Sequence, residues 1–289
     1  MLEKKNYITG YCLAAPAILM STVFFLIPFI IVVVLSFWDI NFMGESRGFL
    51  GLEHYIRFFA SIHTLNILKY SFIFLVICLV LIVGSAFILA LLLKNRFTGQ
   101  GFFRTALILP WVVAGVSAAY MFRWLFSESS GGLINKVLEL FGFAKVFWLS
   151  NGKMNFLVVI FCIVWKAIPA PMIILLSGMQ SIPNEYYEVA DIDGGGFLAK
   201  TRHITIPMLL NQFRIIMITS TLGLLGGVDI MRSIGGSQDY RVIGYAMYME
   251  VFSNYNVSSG AAIGAIMMII CVFLALLYTK LLRLNEGID

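Results

Sequence analysis

The sequence predicts an all-α membrane protein with six transmembrane helices, and three observations carry that expectation. Of 289 residues, 60% are hydrophobic and 12% charged, with a mean hydropathy of +0.92, whereas soluble domains carry roughly 25% charged residues. The apolar residues fall in blocks of about 20, the length that crosses about 30 Å of hydrocarbon as helix. They do not alternate over about ten residues at a time, as the strands of a membrane β-barrel do.

The first block, residues 12–37, follows Lys4 and Lys5. It is too long for a secretory signal, and its small-residue triplet Ala15-Pro16-Ala17 precedes the apolar core, so it reads as a first span. Further blocks run over residues 67–93, 105–125, 156–179, 213–228 and 260–282, the fifth being short, with Gly223, Gly226 and Gly227 near its end. Six spans place both termini on one side. On that side fall Lys4, Lys5, Lys94, Arg96, Arg104, Lys200, Arg202, Arg214, Lys280 and Arg283, most of them beside span ends, so the termini are expected to be cytoplasmic.

The loops on the opposite side hold two amphipathic stretches, residues 49–59 and 133–143, that predict short helices at the interface, packed there or receiving an external partner. Trp111, Trp124 and Trp148 are expected as interfacial anchors. Gly260 with Gly264, and Gly115 with Ser117, Ala118 and Ala119, give small-residue faces for close helix packing.

The formal charge of +5 is spread over helix ends and gives no nucleic-acid signature. Cys12, Cys78, Cys162 and Cys271 each lie inside an apolar block at no metal-ligand spacing and are expected as packed thiols; His54, His63 and His203 are isolated, so no metal site is expected. Residues 194–201 come within one residue of a phosphate-cradling pattern, with Ala199 where its second glycine belongs. A phosphate loop needs a strand before it, and a membrane helix precedes this one. The chain therefore has no catalytic constellation and no energy source of its own.

Inside the spans, Lys166 is the conspicuous charge, costing on the order of 3 kcal/mol or more unless it meets a wet cavity or a partner. Two readings stay open: an ion pair with an acid such as Asp229, or contact with a solute. Pro169 and Pro171 each remove a backbone hydrogen bond, which predicts a bent helix there, and Trp165 offers a face on which a sugar ring could stack. Asp229 and Arg232 could shape the outer mouth of a passage.

The most organised polar stretch is the loop of residues 180–210, in which Glu188-Val189-Ala190, three residues, Gly194, nine residues and Ile204-Thr205-Ile206-Pro207 follow in order. This resembles the EAA loop of the membrane subunits of ATP-binding-cassette importers, E-A-A-x3-G-x9-I-x-L-P, with Val189 and Ile206 as apolar exchanges. Gly51-Leu52-Glu53-His54-Tyr55, Leu109-Pro110-Trp111, Arg123-Trp124-Leu125-Phe126, Gly132-Leu133-Ile134-Asn135 and Gly178-Met179-Gln180-Ser181-Ile182-Pro183 are similar to the carbohydrate-import branch that contains maltose and glycerol-phosphate permeases. Gly235-Gly236-Ser237 stands where that branch often has G-G-P.

The resemblance implies a type I importer permease fold in a prokaryotic inner or plasma membrane: residues 1–66 as a first helix and outer loop, 67–284 as the permease core, and 285–289 as a cytoplasmic tail. It implies docking of an ATPase through Glu188, Ala190, Gly194, Ile204 and Pro207, with Trp165, Lys166 and Asp229 as candidates for the solute path. The expected partners are a second homologous permease, two ATPase subunits, an extracytoplasmic solute-binding protein, a sugar (or a non-sugar solute such as glycerol phosphate) and membrane lipid. ATP and magnesium would sit on the ATPase subunits, leaving this chain without a cofactor. The competing classes are a self-sufficient secondary transporter, for which the spans lack an internal repeat and a chain of acids, and an enzyme of lipid-linked sugars, for which no acid or metal cluster is evident.

Overall fold

The computed structural model describes residues 13–95, 97–129, 131–235 and 240–282. Lys4, Lys5, Cys12, Arg96, Gly236, Ser237, Arg283 and the tail 285–289 lie outside them. Two compact units are formed, one from the residues up to Thr64 with Ala246–Met268, the other from Leu65–Tyr245 with the residues from Ile269 on.

In the first unit, helix α1 (Leu13–Leu35) is apolar on all sides and buries none of its residues within the chain, as suits a helix surrounded by lipid or a partner. It contains a π-helical turn at Thr22–Leu26. A small hairpin follows, β1 (Trp38–Ile40) against β2 (Ser46–Phe49), paired Trp38 to Phe49 and bulged between Asp39 and Ile40. Its turn is closed by Asn41 Oδ1, which accepts the N–H groups of Met43 and Glu45 at 3.0 Å each. Hydropathy, which reads spans, missed these strands. Helix α2 (Glu53–Ala60) takes up the first predicted amphipathic stretch, with His54 buried and its Nε2 2.9 Å from the Trp38 carbonyl. Gly260 and Gly264 fulfil their predicted use: a Cβ at 260 would collide with Val251, and one at 264 would lie 3.2 Å from Met247 Sδ.

The second unit contains α3 (Thr64–Lys94, from Leu65 onward), α4 (Gln100–Val112), α5 (Gly115–Leu125), α6 (Leu133–Leu140), α7 (Gly152–Ala167), α8 (Pro169–Gln180), α9 (Glu185–Ile192), α10 (Phe197–Met208), α11 (Leu210–Gly226) and α12 (Asp229–Ile234). Helices α13 (Ile243–Phe252) and α14 (Val257–Leu281) complete the chain. Among the described residues, four helices are long and apolar enough to cross a membrane: α1, α3, the continuous run Gly152–Gln180, and α14. The count rises to six if α4 with α5 and α10 with α11 each make one span.

The first pair departs from the straight third span expected over residues 105–125; the second break, at Leu209, falls before the fifth block, residues 213–228, which lies in α11. The chain turns by 98° between α4 and α5 and by 67° between α10 and α11. At the first break Val113 and Ala114 are extended, with ψ of 130° and 140°, just after Pro110 has removed a hydrogen-bond donor from α4. Pro169 and Pro171, expected to bend the fourth span, leave it running: Ile168 keeps helical angles of −56° and −41°, and Met172 donates to its carbonyl at 3.1 Å. Pro169 occupies a first-turn position, which a helix tolerates.

The core of this unit joins α3, α8 and α11 through Ala86, Ala90, Leu93, Met172, Leu175, Leu176, Met179, Ile182, Leu209 and Ile216. Small residues set the approach: a Cβ at Gly178 would stand 2.6 Å from Leu209 Cδ2, and one at Gly244 would strike the Leu225 carbonyl. Cys78, Cys162 and Cys271 are buried free thiols. In the loop after α5, Glu128 Oε1 accepts the N–H groups of Leu149 and Ser150 at 2.8 and 2.7 Å, and Oε2 accepts the Ser150 hydroxyl at 2.7 Å. The Ser150 side-chain bond first, then its backbone bond, lower the Glu128 pKa.

Candidate functional site

Two places gather the predicted site residues, a hairpin of short helices (α9 and α10) and a cavity among the long ones. Helix α9 begins after Pro183 with Glu185 and Glu188 in its first turn, where the positive end of the helix dipole favours acids. It ends in a Schellman turn: Gly194 N–H donates to Asp191 O at 3.1 Å and Gly195 N–H to Ala190 O at 2.7 Å. The turn needs two glycines for different reasons. Gly194 has φ of 75°, a left-handed angle, while a Cβ on Gly195 would lie 2.7 Å from the Ala190 oxygen. Gly194 and Ala190 belong to the EAA-like pattern; Gly195, the second of the triple glycine, lies outside it.

Helix α10 returns antiparallel in sequence, and Lys200 Nζ donates to Asp191 Oδ1 at 2.6 Å across the turn. Its middle is a π-helical turn, Thr201–Thr205, in which Ile206 N–H reaches back five residues to the Thr201 carbonyl. The wider turn suits Pro207, which has no N–H for the His203 carbonyl and whose ring would crowd it in a tight helix. The helix breaks two residues later at Leu209, so Pro207 lies just before α11, the helix that holds the fifth apolar block. Ile204 and Tyr187 pack on the core cluster, and Thr205 is buried.

The outward side of the hairpin is different. Tyr186, Val189, Ile192, Phe197 and Leu198 are exposed, Ile192 at 86% and Leu198 at 79%. Glu188 lies exposed on this helix, and its carboxylate has no ion pair among the described residues. Exposed apolar side chains ringed by acids are the mark of an interaction surface.

The cavity has a volume of about 420 Å³, within the roughly 300–1,000 Å³ of pockets that enclose small solutes. From α7 and α8 it takes Ile163, Lys166, Ala167, Ala170 and Ile174, a spacing of three, four and seven that defines one helix face, and Pro171 beside them. From α3 it takes Ile82, from α11 Thr219, Ser220, Gly223 and Leu224, from the break between α4 and α5 Trp111 and Gly115, and from the junction of α11 and α12 Gly227, Asp229 and Ile230. Lys166 and Asp229 thus share one cavity, yet no ion pair within 4.0 Å joins them among the described residues. Asp229 rests on Gly115, where a Cβ would collide with its carboxylate. The prolines add polarity, because the carbonyls of Trp165 and Ala167 lose the donors that residues 169 and 171 would supply.

Trp165 itself is not among the lining residues. One step along the helix from Lys166 is a turn of about 100°, and the Trp165 ring packs on Phe122 at 5.5 Å. The aromatic wall is Trp111, which the sequence reading assigned to interfacial anchoring. Trp148 is likewise fixed by protein contacts, donating Nε1–H to Asn135 Oδ1 at 3.1 Å. Thr219 and Ser220 carried no sequence signal, since hydroxyls are common in membrane helices. Among the described residues no three His, Cys, Asp or Glu side chains group to hold a metal.

Apolar helices broken around a cavity lined by a few polar groups, with an exposed hairpin outside the core, define a multi-pass membrane transport subunit. The chain belongs to the family described as binding-protein-dependent transport system inner membrane component, whose profile matches residues 86–284. It is 28% identical over 287 residues to the trehalose/maltose transport system permease protein MalF of Thermococcus litoralis, covering 96% of this chain and 94% of that one. It is also 28% identical over 285 residues to the arabinooligosaccharides transport system permease protein AraP of Bacillus subtilis, covering 94% and 87%. Its fold is shared with a chain of the crystal structure of a bacterial alginate ABC transporter in complex with an alginate pentasaccharide-bound periplasmic protein, with a TM-score of 0.82 at 18% identity over 98% of this chain and 96% of that chain.

Proposed function

We propose that this chain is one permease of an ATP-driven, binding-protein-dependent importer, and that its solute is a carbohydrate, a di- or oligosaccharide. Two relatives that span nearly its whole length are named for sugars of that size, and a third, named for sn-glycerol-3-phosphate, carries the alternative of a non-sugar solute. In this reading each bent helix pair is one span, both termini are cytoplasmic, and residues 67–284 form the permease core beside a second, homologous permease. A solute-binding protein delivers sugar to the outer loops. Lys166, Asp229, Trp111, Thr219 and Ser220 contact it in the cavity, and two ATPase subunits holding ATP and magnesium drive alternating access without any bond in the sugar being changed.

The observation that most supports this reading is the hairpin. Glu188, Ala190, Gly194, Ile204 and Pro207 build a rigid, core-anchored element whose outward side leaves a carboxylate and large apolar side chains uncovered. An ATPase subunit covering that side would remove the apolar area from water and supply donors to Glu188. The mechanical step is then displacement of the hairpin as the ATPase pair closes. The test is uptake of a panel of labelled di- and oligosaccharides by cells carrying the complete system. Uptake that stops on ATP depletion and survives an uncoupler supports the proposal, and the reverse pattern would establish a gradient-driven transporter.

A further inference from the structure

Docking leaves one group at the hairpin unused. Lys94, the last residue of α3, is half-buried and places Nζ 3.5 Å from the centroid of the Tyr187 ring. No carboxylate lies within 4.0 Å of Lys94 among the described residues, so the ring is the counterpart the structure gives its charge. The end of α3 is itself fixed, because Gln100 Nε2 donates to the Leu93 carbonyl at 2.7 Å. At its other end the Tyr187 hydroxyl lies 3.0 Å from Oγ1 of Thr205, a buried residue in the π-helical turn of α10. One side chain of α9 is therefore held by α3 at its face and by α10 at its tip. Glu188 follows it by a single residue, so Tyr187 faces the core while Glu188 faces outward.

We propose that Lys94, Tyr187 and Thr205 form a latch that makes α9, α10 and the end of α3 move as one body. The inference rests on the ATPase docking at this hairpin. Displacement at Glu188 then pulls α3 along its axis and reaches Ile82, twelve residues or about 18 Å of helix away, a side chain fully buried at the cavity wall in this structure. Apolar packing of Tyr187 on the core would carry only a push; the cation on the ring and the bond to Thr205 resist separation as well. Lys94 is a positioning residue, remote from solute and nucleotide.

The experiment uses the complete purified transporter in lipid with Ile82→Cys introduced and the native cysteines changed to serine, and follows maleimide labelling at position 82 before and after trapping with ATP and vanadate. Trapping is expected to change the labelling rate by roughly fivefold or more in the parent and in Lys94→Arg, which keeps a cation over the ring. In Lys94→Met the change is expected to vanish while the ATPase still co-purifies and hydrolyses ATP. Tyr187→Phe, which keeps the ring and loses the hydroxyl, is expected to fall between. A full nucleotide-driven change in Lys94→Met, a Lys94→Arg chain as defective as Lys94→Met, or a Lys94→Met chain that fails to assemble would each overturn the latch. Failure of the docking reading shows differently, as an ATPase that stays bound to a Glu188→Lys chain.

Discussion

Replacing Glu188 by lysine is expected to release the ATPase subunits while leaving the permease folded in the membrane. The side chain is exposed and makes no ion pair among the described residues, so within this chain the substitution costs only the favourable charge in the first turn of α9, about 0.3–1 kcal/mol. On the docking proposed above, the same position becomes a covered contact in the assembled transporter, and loss of one partner of such a charge-assisted pair costs about 2–5 kcal/mol. Lysine adds repulsion to whatever donors faced the carboxylate. At the tenfold per about 1.4 kcal/mol of binding equilibria, that loosens docking by well over tenfold. The check is ATPase recovered with an affinity-tagged permease from detergent extracts, beside uptake in the same cells. Normal recovery with normal uptake would remove Glu188 from the interface.

The second large effect belongs to the cavity. Lys166→Met keeps the length and apolar stem of the side chain and deletes the charge, so a hydrogen bond from a charged donor is lost, worth about 1.5–3 kcal/mol, or roughly ten- to a hundredfold in uptake at low sugar concentration. Trp111→Ala, which removes the aromatic wall, is expected to act in the same direction, because a flat apolar face is what the ring C–H groups of a sugar pack upon. Trp165→Ala serves as the contrast. Its ring fills space against Phe122, so the variant is expected to reduce the amount of folded protein while leaving the sugar concentration for half-maximal uptake unchanged. Uptake kinetics in which Trp165→Ala alters that concentration and Trp111→Ala does not would exchange the two roles.

Much of this was legible in the sequence, and the reasons are physical. Apolar blocks near the thickness of a bilayer reveal spans because every backbone polar group in lipid must be paired internally. Gly194 and Pro207 could be read because left-handed backbone and a missing N–H are properties of one residue. What hydropathy could not give was direction. The 98° turn between α4 and α5 depends on two residues, Val113 and Ala114, whose extended angles no composition encodes. That turn carries Trp111 inward and seats Gly115 on Asp229, so the cavity wall escaped a reading that treated residues 105–125 as straight. Trp165 failed for a related reason. Its neighbour Lys166 lines the cavity, but adjacent residues on a helix face different ways, and no single residue says which of the two faces the space. The Lys94 contact on Tyr187 joins residues 93 apart in sequence and could be found only from the fold.

The most direct measurement of the central claim is solute accumulation in proteoliposomes holding the purified chain. Given its second permease, its solute-binding protein and a wild-type ATPase pair, the chain should concentrate labelled sugar only while ATP is supplied. Without the ATPase it should not move sugar uphill at all. Uphill accumulation by this chain in vesicles free of any nucleotide-hydrolysing subunit would contradict the entry of energy through the hairpin at Glu188.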